Sequence, residues 1–136
     1  MGLTVPTVVL AVAVVTVWSP AALRAIKRPG TERRGEDWFI VGVVAGFIGA
    51  TLDNIYWAFP WTATFLESPL GWKLTSAGVF FNVFFRQGLG IVAGYCHLKA
   101  YAVDHTPKRR ALAILLGGSS LLGGCYSSAL LLLKWL

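Results

Sequence analysis

The sequence predicts an all-α integral membrane protein whose four transmembrane helices form one bundle. Of the 136 residues, 56% are apolar and only 13% are charged, which is too apolar a balance for a soluble domain of this length. The apolar residues also fall into four long segments, each able to cross a hydrocarbon core of about 30 Å. We therefore expect a single transmembrane domain over residues 1–136, with helices at about 3–26, 38–59, 74–99 and 111–134.

The first apolar segment runs from Leu3 to Leu23 and resembles the core of a secretory signal. Lys and Arg are absent before this apolar run, whereas five follow it by residue 34, which is the reverse of a signal peptide. Pro6 and Pro20 lie near its two ends, where a helix tolerates a missing N–H or bends around it. We expect a retained first helix.

Basic residues are concentrated in the two loops that follow the first and third segments. These loops hold nine of the twelve Lys and Arg residues, so the positive-inside rule predicts that both loops are cytoplasmic and both termini are outside. Nucleic acid is not an expected partner, because no aromatic or helical reading element accompanies the charge. Anionic lipid headgroups are expected to contact Arg24, Lys27, Arg28, Arg33, Arg34, Lys108, Arg109 and Arg110.

The second and third segments each carry small or polar residues at intervals of four, which places them along one face of a helix. In lipid, small residues at this spacing let two helix backbones approach closely. We expect the two faces to pack antiparallel, with Gly42 near Gly94 and Gly46 near Gly90. The faces comprise Gly42, Gly46, Ala50 and Asn54 in the second segment and Gly78, Asn82, Arg86, Gly90 and Gly94 in the third.

Asp53 is the acidic residue within the apolar second segment, and Arg86 occupies the third segment at a similar predicted depth. An unpaired charge in the hydrocarbon is costly, so we expect an Asp53–Arg86 ion pair. Asn54, Asn82 and Gln87 are its expected hydrogen-bonding neighbours. Two interpretations stay open, since the pair could fix the register of two helices or bind a solute, an ion or a partner.

The fourth segment contains two adjacent stripes of small residues. One consists of Ser119, Gly123 and Ser127, and the other of Ser120, Gly124 and Ser128. One stripe suffices for packing within a single chain, so the second predicts contact with another chain. We therefore expect a homo-oligomer or an assembly with other membrane subunits.

The sequence lacks the residue patterns that catalysis or cofactor binding would need. His97 is predicted at the cytoplasmic boundary and His105 in a loop, which leaves no axial ligand for haem at membrane depth. No metal-ligand spacing is present, and the serines of the fourth segment have no histidine at their depth. Cys96 and Cys125 are predicted near opposite ends of their helices, too far apart for a disulfide. An enzyme, a metal site and a cofactor are thus not predicted.

Three functions remain compatible with a chain made almost entirely of membrane helices. The first is a structural or accessory subunit of a membrane-embedded complex, in the inner membrane of a bacterium. The second is an oligomeric channel or transporter in which the Asp53 and Arg86 cluster lines a polar path. The third is a phage-type holin or exclusion protein, since small self-associating helices suit membrane permeabilisation.

Overall fold

The computed structural model describes residues 5–58 and 87–135, with side-chain surroundings mainly over residues 8–52 and 87–130. Within these ranges the regular structure is entirely helical. Helix α1 spans Val5–Lys27 and α2 spans Gly35–Ala58, with a 3-10 turn at Gly30–Glu32 between them. Helix α3 spans Gly88–Val103. A continuous C-terminal helix, residues 107–135, consists of α4 (Pro107–Leu112), a π-helical segment (Ala113–Gly118) and α5 (Ser119–Trp135).

Three helices in the described part of the chain are long and apolar enough to cross a membrane. They are Val8–Lys27, Gly35–Leu52 and Pro107–Leu130, which correspond to the first, second and fourth predicted spans. This confirms the prediction of apolar helices of membrane-spanning length at those three places. Helix α3 is the C-terminal part of the third predicted span, whose residues 74–86 lie outside the described residues.

Two helices begin earlier than the apolar pattern indicates, because polar residues cap them. Helix α2 begins at Gly35, where a carboxylate oxygen of Asp37 accepts the backbone N–H of Arg34 at 2.9 Å. Helix α4 begins with Pro107, and the hydroxyl of the preceding Thr106 accepts the N–H of Arg109 at 3.2 Å. Capping therefore extends both helices into the basic loops, beyond the apolar residues.

The interior of the described bundle consists mainly of alanine. Helix α2 packs on both α1 and α3, and α3 also packs on the C-terminal helix. Seven of the nine buried hydrophobic residues are alanines: Ala11, Ala22, Ala25, Ala45, Ala93, Ala100 and Ala113. Large apolar side chains such as Val17, Leu115 and Leu122 are exposed. Close backbone approach inside and large apolar residues outside are typical of helices that pack in lipid.

The register between helices differs from the one expected for Gly42 and Gly94. A Cβ placed on Gly42 would lie 3.0 Å from the Cβ of Cys96 and 3.2 Å from Cε1 of His97. One placed on Gly94 would instead lie 2.8 Å from the carbonyl oxygen of Gly117 in the C-terminal helix. The expected pairing of Gly42 with Gly94 is therefore wrong, because these glycines serve two different interfaces of α3.

The remaining glycines of these faces divide in the same way. A Cβ on Gly46 would lie 3.6 Å from the Cβ of Ala93, so α2 meets Ala93, Cys96 and His97 on α3. A Cβ on Gly124 would lie 2.7 Å from Cγ1 of Ile91. Gly90 has no atom within 4 Å of its Cβ position among the described residues, and Gly78 lies outside them.

Candidate functional site

The predicted Asp53–Arg86 cluster falls largely outside the described residues. Asp53 and Asn54 belong to the last turns of α2, but their side chains are not described, and neither are Asn82 and Arg86. Gln87 immediately precedes α3, and its carbonyl oxygen lies 3.3 Å from the Cβ position of Gly124. The ion pair thus stays a prediction.

The basic residues of the first loop include two that bind the protein itself. Arg28 forms an ion pair with Asp37 at 3.0 Å, and Asp37 is buried. Arg33 donates from Nε to the carbonyl oxygens of Ala25 and Arg28, and from Nη2 to that of Ile26. Arg33 therefore caps the C-terminal end of α1, where carbonyl groups have no partner within the helix.

Aromatic faces hold two of the guanidinium groups. That of Arg33 lies 4.9 Å from the ring centre of Trp38, and that of Arg109 lies 4.6 Å from the ring centre of Phe39. Arg109 also lies 3.8 Å from a carboxylate oxygen of Asp104. Arg33 and Arg109 therefore make specific side-chain contacts within the protein, which a count of positive charges does not show.

The other five basic residues expected at lipid headgroups have exposed side chains. They are Arg24, Lys27, Arg34, Lys108 and Arg110. Arg110 also lines an open cleft of about 440 Å³ together with Tyr101 and His105. Basic side chains must be exposed in this way to contact anionic lipid headgroups.

His97 lies inside the helix packing, and its depth in the membrane stays a prediction. Its side chain is 95% buried, and its ring centre lies 5.5 Å from that of Phe39. The sequence predicts that the third helix ends at about residue 99, but α3 continues to Val103. Gly42, which His97 contacts, is seven residues beyond the start of α2, or about 10 Å along the helix.

The π-helical segment forms the other wall around His97. A Cβ on Gly117 would lie 3.3 Å from the Cβ of His97 and 3.1 Å from the carbonyl oxygen of Gly94. Glycine at this position therefore allows α3 and the C-terminal helix to touch. A run of π-helix is rare and is often found at functional sites.

An open cleft of about 210 Å³ lies beside His97, between α2, α3 and the C-terminal helix. Gly42 and Gly46 of α2 line one side of it. Its polar side chains are His97 and Ser120. We call it the His97 cleft, and it is lined by Gly42, Val43, Gly46, Phe47, Ala50, Ala93, His97, Leu116 and Ser120.

One nitrogen of His97 lacks a partner within the part of the chain that the structure describes. Nδ1 is buried and accepts or donates no hydrogen bond there. Buried polar atoms are nearly always hydrogen-bonded, and leaving one without a partner costs about 1–3 kcal/mol. The hydroxyl group of Ser128 is the other buried side-chain polar atom without a partner among the described residues, but of the two residues only His97 lines the cleft.

No group of three or more His, Cys, Asp or Glu residues is close enough to hold a metal ion among residues 5–58 and 87–135. Cys96 is buried, Cys125 is exposed, and both are free thiols. The chemistry available beside His97 is therefore hydrogen bonding from an imidazole and a hydroxyl group.

Comparisons with known proteins give no independent indication of function. The chain matches no protein-family model, no curated protein and no solved structure. Its function must therefore be inferred from its own residues.

Proposed function

We propose that this protein is a structural or accessory subunit of a membrane-embedded oligomer or larger complex. In this proposal four helices cross the membrane, with both termini outside and both basic loops in the cytoplasm. The three apolar helices of sufficient length and the exposed basic residues support a multi-pass arrangement. The inner membrane of a bacterium is the proposed location.

The observation that carries the proposal is the orientation of the two small-residue stripes in the C-terminal helix. Gly124 packs against Ile91 of α3, and Ser128 is buried. By contrast, Gly123 is exposed and has no atom within 4 Å of its Cβ position among the described residues. One stripe therefore serves packing within the chain, and Gly123 of the other meets no described helix, which leaves it open to a partner in this proposal.

Large residues lie beside the outward stripe and give it the shape of a shallow groove. Leu122 and Tyr126 are 73% and 68% exposed. In lipid, where no hydrophobic force drives helices together, close packing over small residues is a main source of association. A helix from a second subunit would contact Gly123 at backbone distance and cover the flanking side chains.

The proposal is tested by the mass of the native complex, extracted in lipid nanodiscs and measured by native mass spectrometry. We expect a mass above that of one chain. Replacing Gly123→Leu should reduce it to the single chain, since a large side chain blocks close approach. Gly90→Leu is the matched control and should leave the complex intact, because it makes the same change at a glycine of α3 that also has no described atom within 4 Å of its Cβ position. A wild-type chain that is monomeric in lipid would refute the proposal.

The composition of the complex separates the alternative functions. Foreign subunits would identify an accessory subunit, whose role is then read from those subunits. Copies of this chain alone favour an oligomeric channel or transporter, or a phage-type holin or exclusion protein. In that case flux measurements on Asp53→Asn and Arg86→Gln variants test whether the predicted polar cluster lines a path.

A further inference from the structure

We propose that the His97 cleft binds a neutral, membrane-soluble molecule that presents a carbonyl oxygen on a single ring. The inference is independent of the proposed assembly, because it rests on a cleft within one chain. It combines the buried imidazole, the hydroxyl group of Ser120, and the volume and apolar walls of the cleft.

The two polar groups of the cleft favour an acceptor on the ligand. A neutral imidazole carries its proton on one nitrogen and a lone pair on the other. Nδ1 of His97 is buried without a partner in the described structure, and a bare lone pair is tolerated there better than an orphaned N–H. The proton is then on Nε2, which can donate. Ser120 also has a hydroxyl proton to donate, so a carbonyl oxygen would satisfy both groups.

The size of the cleft fits one ring. An engineered apolar cavity of about 150 Å³ holds benzene, and the His97 cleft measures about 210 Å³. Its apolar walls include Phe47 and Val43, while Gly42 and Gly46 provide flat backbone against which a ring can lie.

The walls also exclude charge and indicate the route of entry. None of the described residues that line the cleft is Asp, Glu, Lys or Arg. An ionised ligand would lose hydration without gaining an opposite charge, which selects a neutral molecule. The cleft lies between α2 and the C-terminal helix, two candidate membrane spans, and exposed Leu116 lines it. Entry is therefore from the lipid phase.

A quinone is the simplest probe of this chemistry, and the two histidines of the chain make its binding observable. The full-length protein, labelled with ¹⁵N-histidine in phosphatidylcholine nanodiscs, is titrated with oxidised decylubiquinone. We expect saturable shifts of the ring ¹⁵N resonances of His97 and none for His105, which is exposed. Decylbenzene, which has the same tail and no carbonyl group, should not reproduce them.

Two serine variants test the assignment of the second donor while keeping the histidine signal. Ser120→Ala should weaken decylubiquinone binding by about fivefold, the effect expected for one lost hydrogen bond. Ser128→Ala, at a buried serine outside the cleft, should leave the affinity unchanged. The proposal is overturned by the absence of a saturable shift, by equal shifts with decylbenzene, or by equal affinity in Ser120→Ala and the wild type.

Discussion

Replacing Gly42→Ala and Gly46→Ala, two glycines one turn apart on α2, gives a direct test of the packing against α3. A Cβ at residue 42 would lie 3.0 Å from the Cβ of Cys96 and 3.3 Å from the carbonyl oxygen of Ala93, both attached to rigid backbone. A Cβ at residue 46 would meet the Cβ of Ala93 at 3.6 Å, an ordinary contact. The first substitution must therefore separate the helices, whereas the second need not.

The magnitude follows from the difference between these variants. Alanine has a higher helix propensity than glycine by about 1 kcal/mol, and this gain is the same in both variants, so it cancels when they are compared. Overpacking costs about 1–3 kcal/mol, so Gly42→Ala should be less stable than Gly46→Ala by that amount. The free energy of unfolding is measured by titrating sodium dodecyl sulfate into mixed micelles and following helical circular dichroism. Equal stabilities, or a more stable Gly42→Ala, would refute the register of α2 on α3.

Three further predictions concern the caps and the other interface of α3. Gly94→Ala should destabilise the protein strongly, since its Cβ would meet backbone atoms of the C-terminal helix at 2.8 Å. Gly90→Ala should be tolerated, because no described atom lies within 4 Å of its Cβ position, and similar unfolding curves for both variants would contradict this prediction. Thr106→Ala should cost about 0.5–2 kcal/mol by removing the cap of α4, and Thr106→Ser should restore stability if the hydroxyl is responsible. Asp37→Ala should cost more stability than Arg28→Ala, because the carboxylate also accepts a backbone N–H at the start of α2. The two variants are compared by chemical denaturation, and the reverse order would contradict this prediction.

Hydropathy was sufficient to predict the first, second and fourth apolar helices, because length and apolar content are local properties of the sequence. It did not place the starts of α2 and α4, since these depend on the polar residues Asp37 and Thr106 and on a proline at the first position of α4. The cap of α4 can be recognised in the sequence from a Thr-Pro pair before a basic turn. A helix start placed at the first apolar residues leaves such caps out.

The partner of each helix face was harder to predict than the face itself. Intervals of four place Gly90 and Gly94 on one side of a helix, but they do not indicate which neighbour that side meets. Gly94 contacts the C-terminal helix, and the adjacent residues Ala93 and His97 face α2. For the same reason, the burial of His97 was missed, since it depends on two other helices and on the continuation of α3 to Val103.

The π-helical segment at Ala113–Gly118 affects how the chain can change its length. A turn closed by i→i+5 hydrogen bonds contains one residue more than an α-turn between the same flanking turns. Deleting a single residue there would convert it into an ordinary α-turn and leave the orientation of α5 nearly unchanged. Elsewhere in the helix, one deletion would rotate everything beyond it by about 100°. Relatives that differ by one residue at this position could therefore keep the same outward surface.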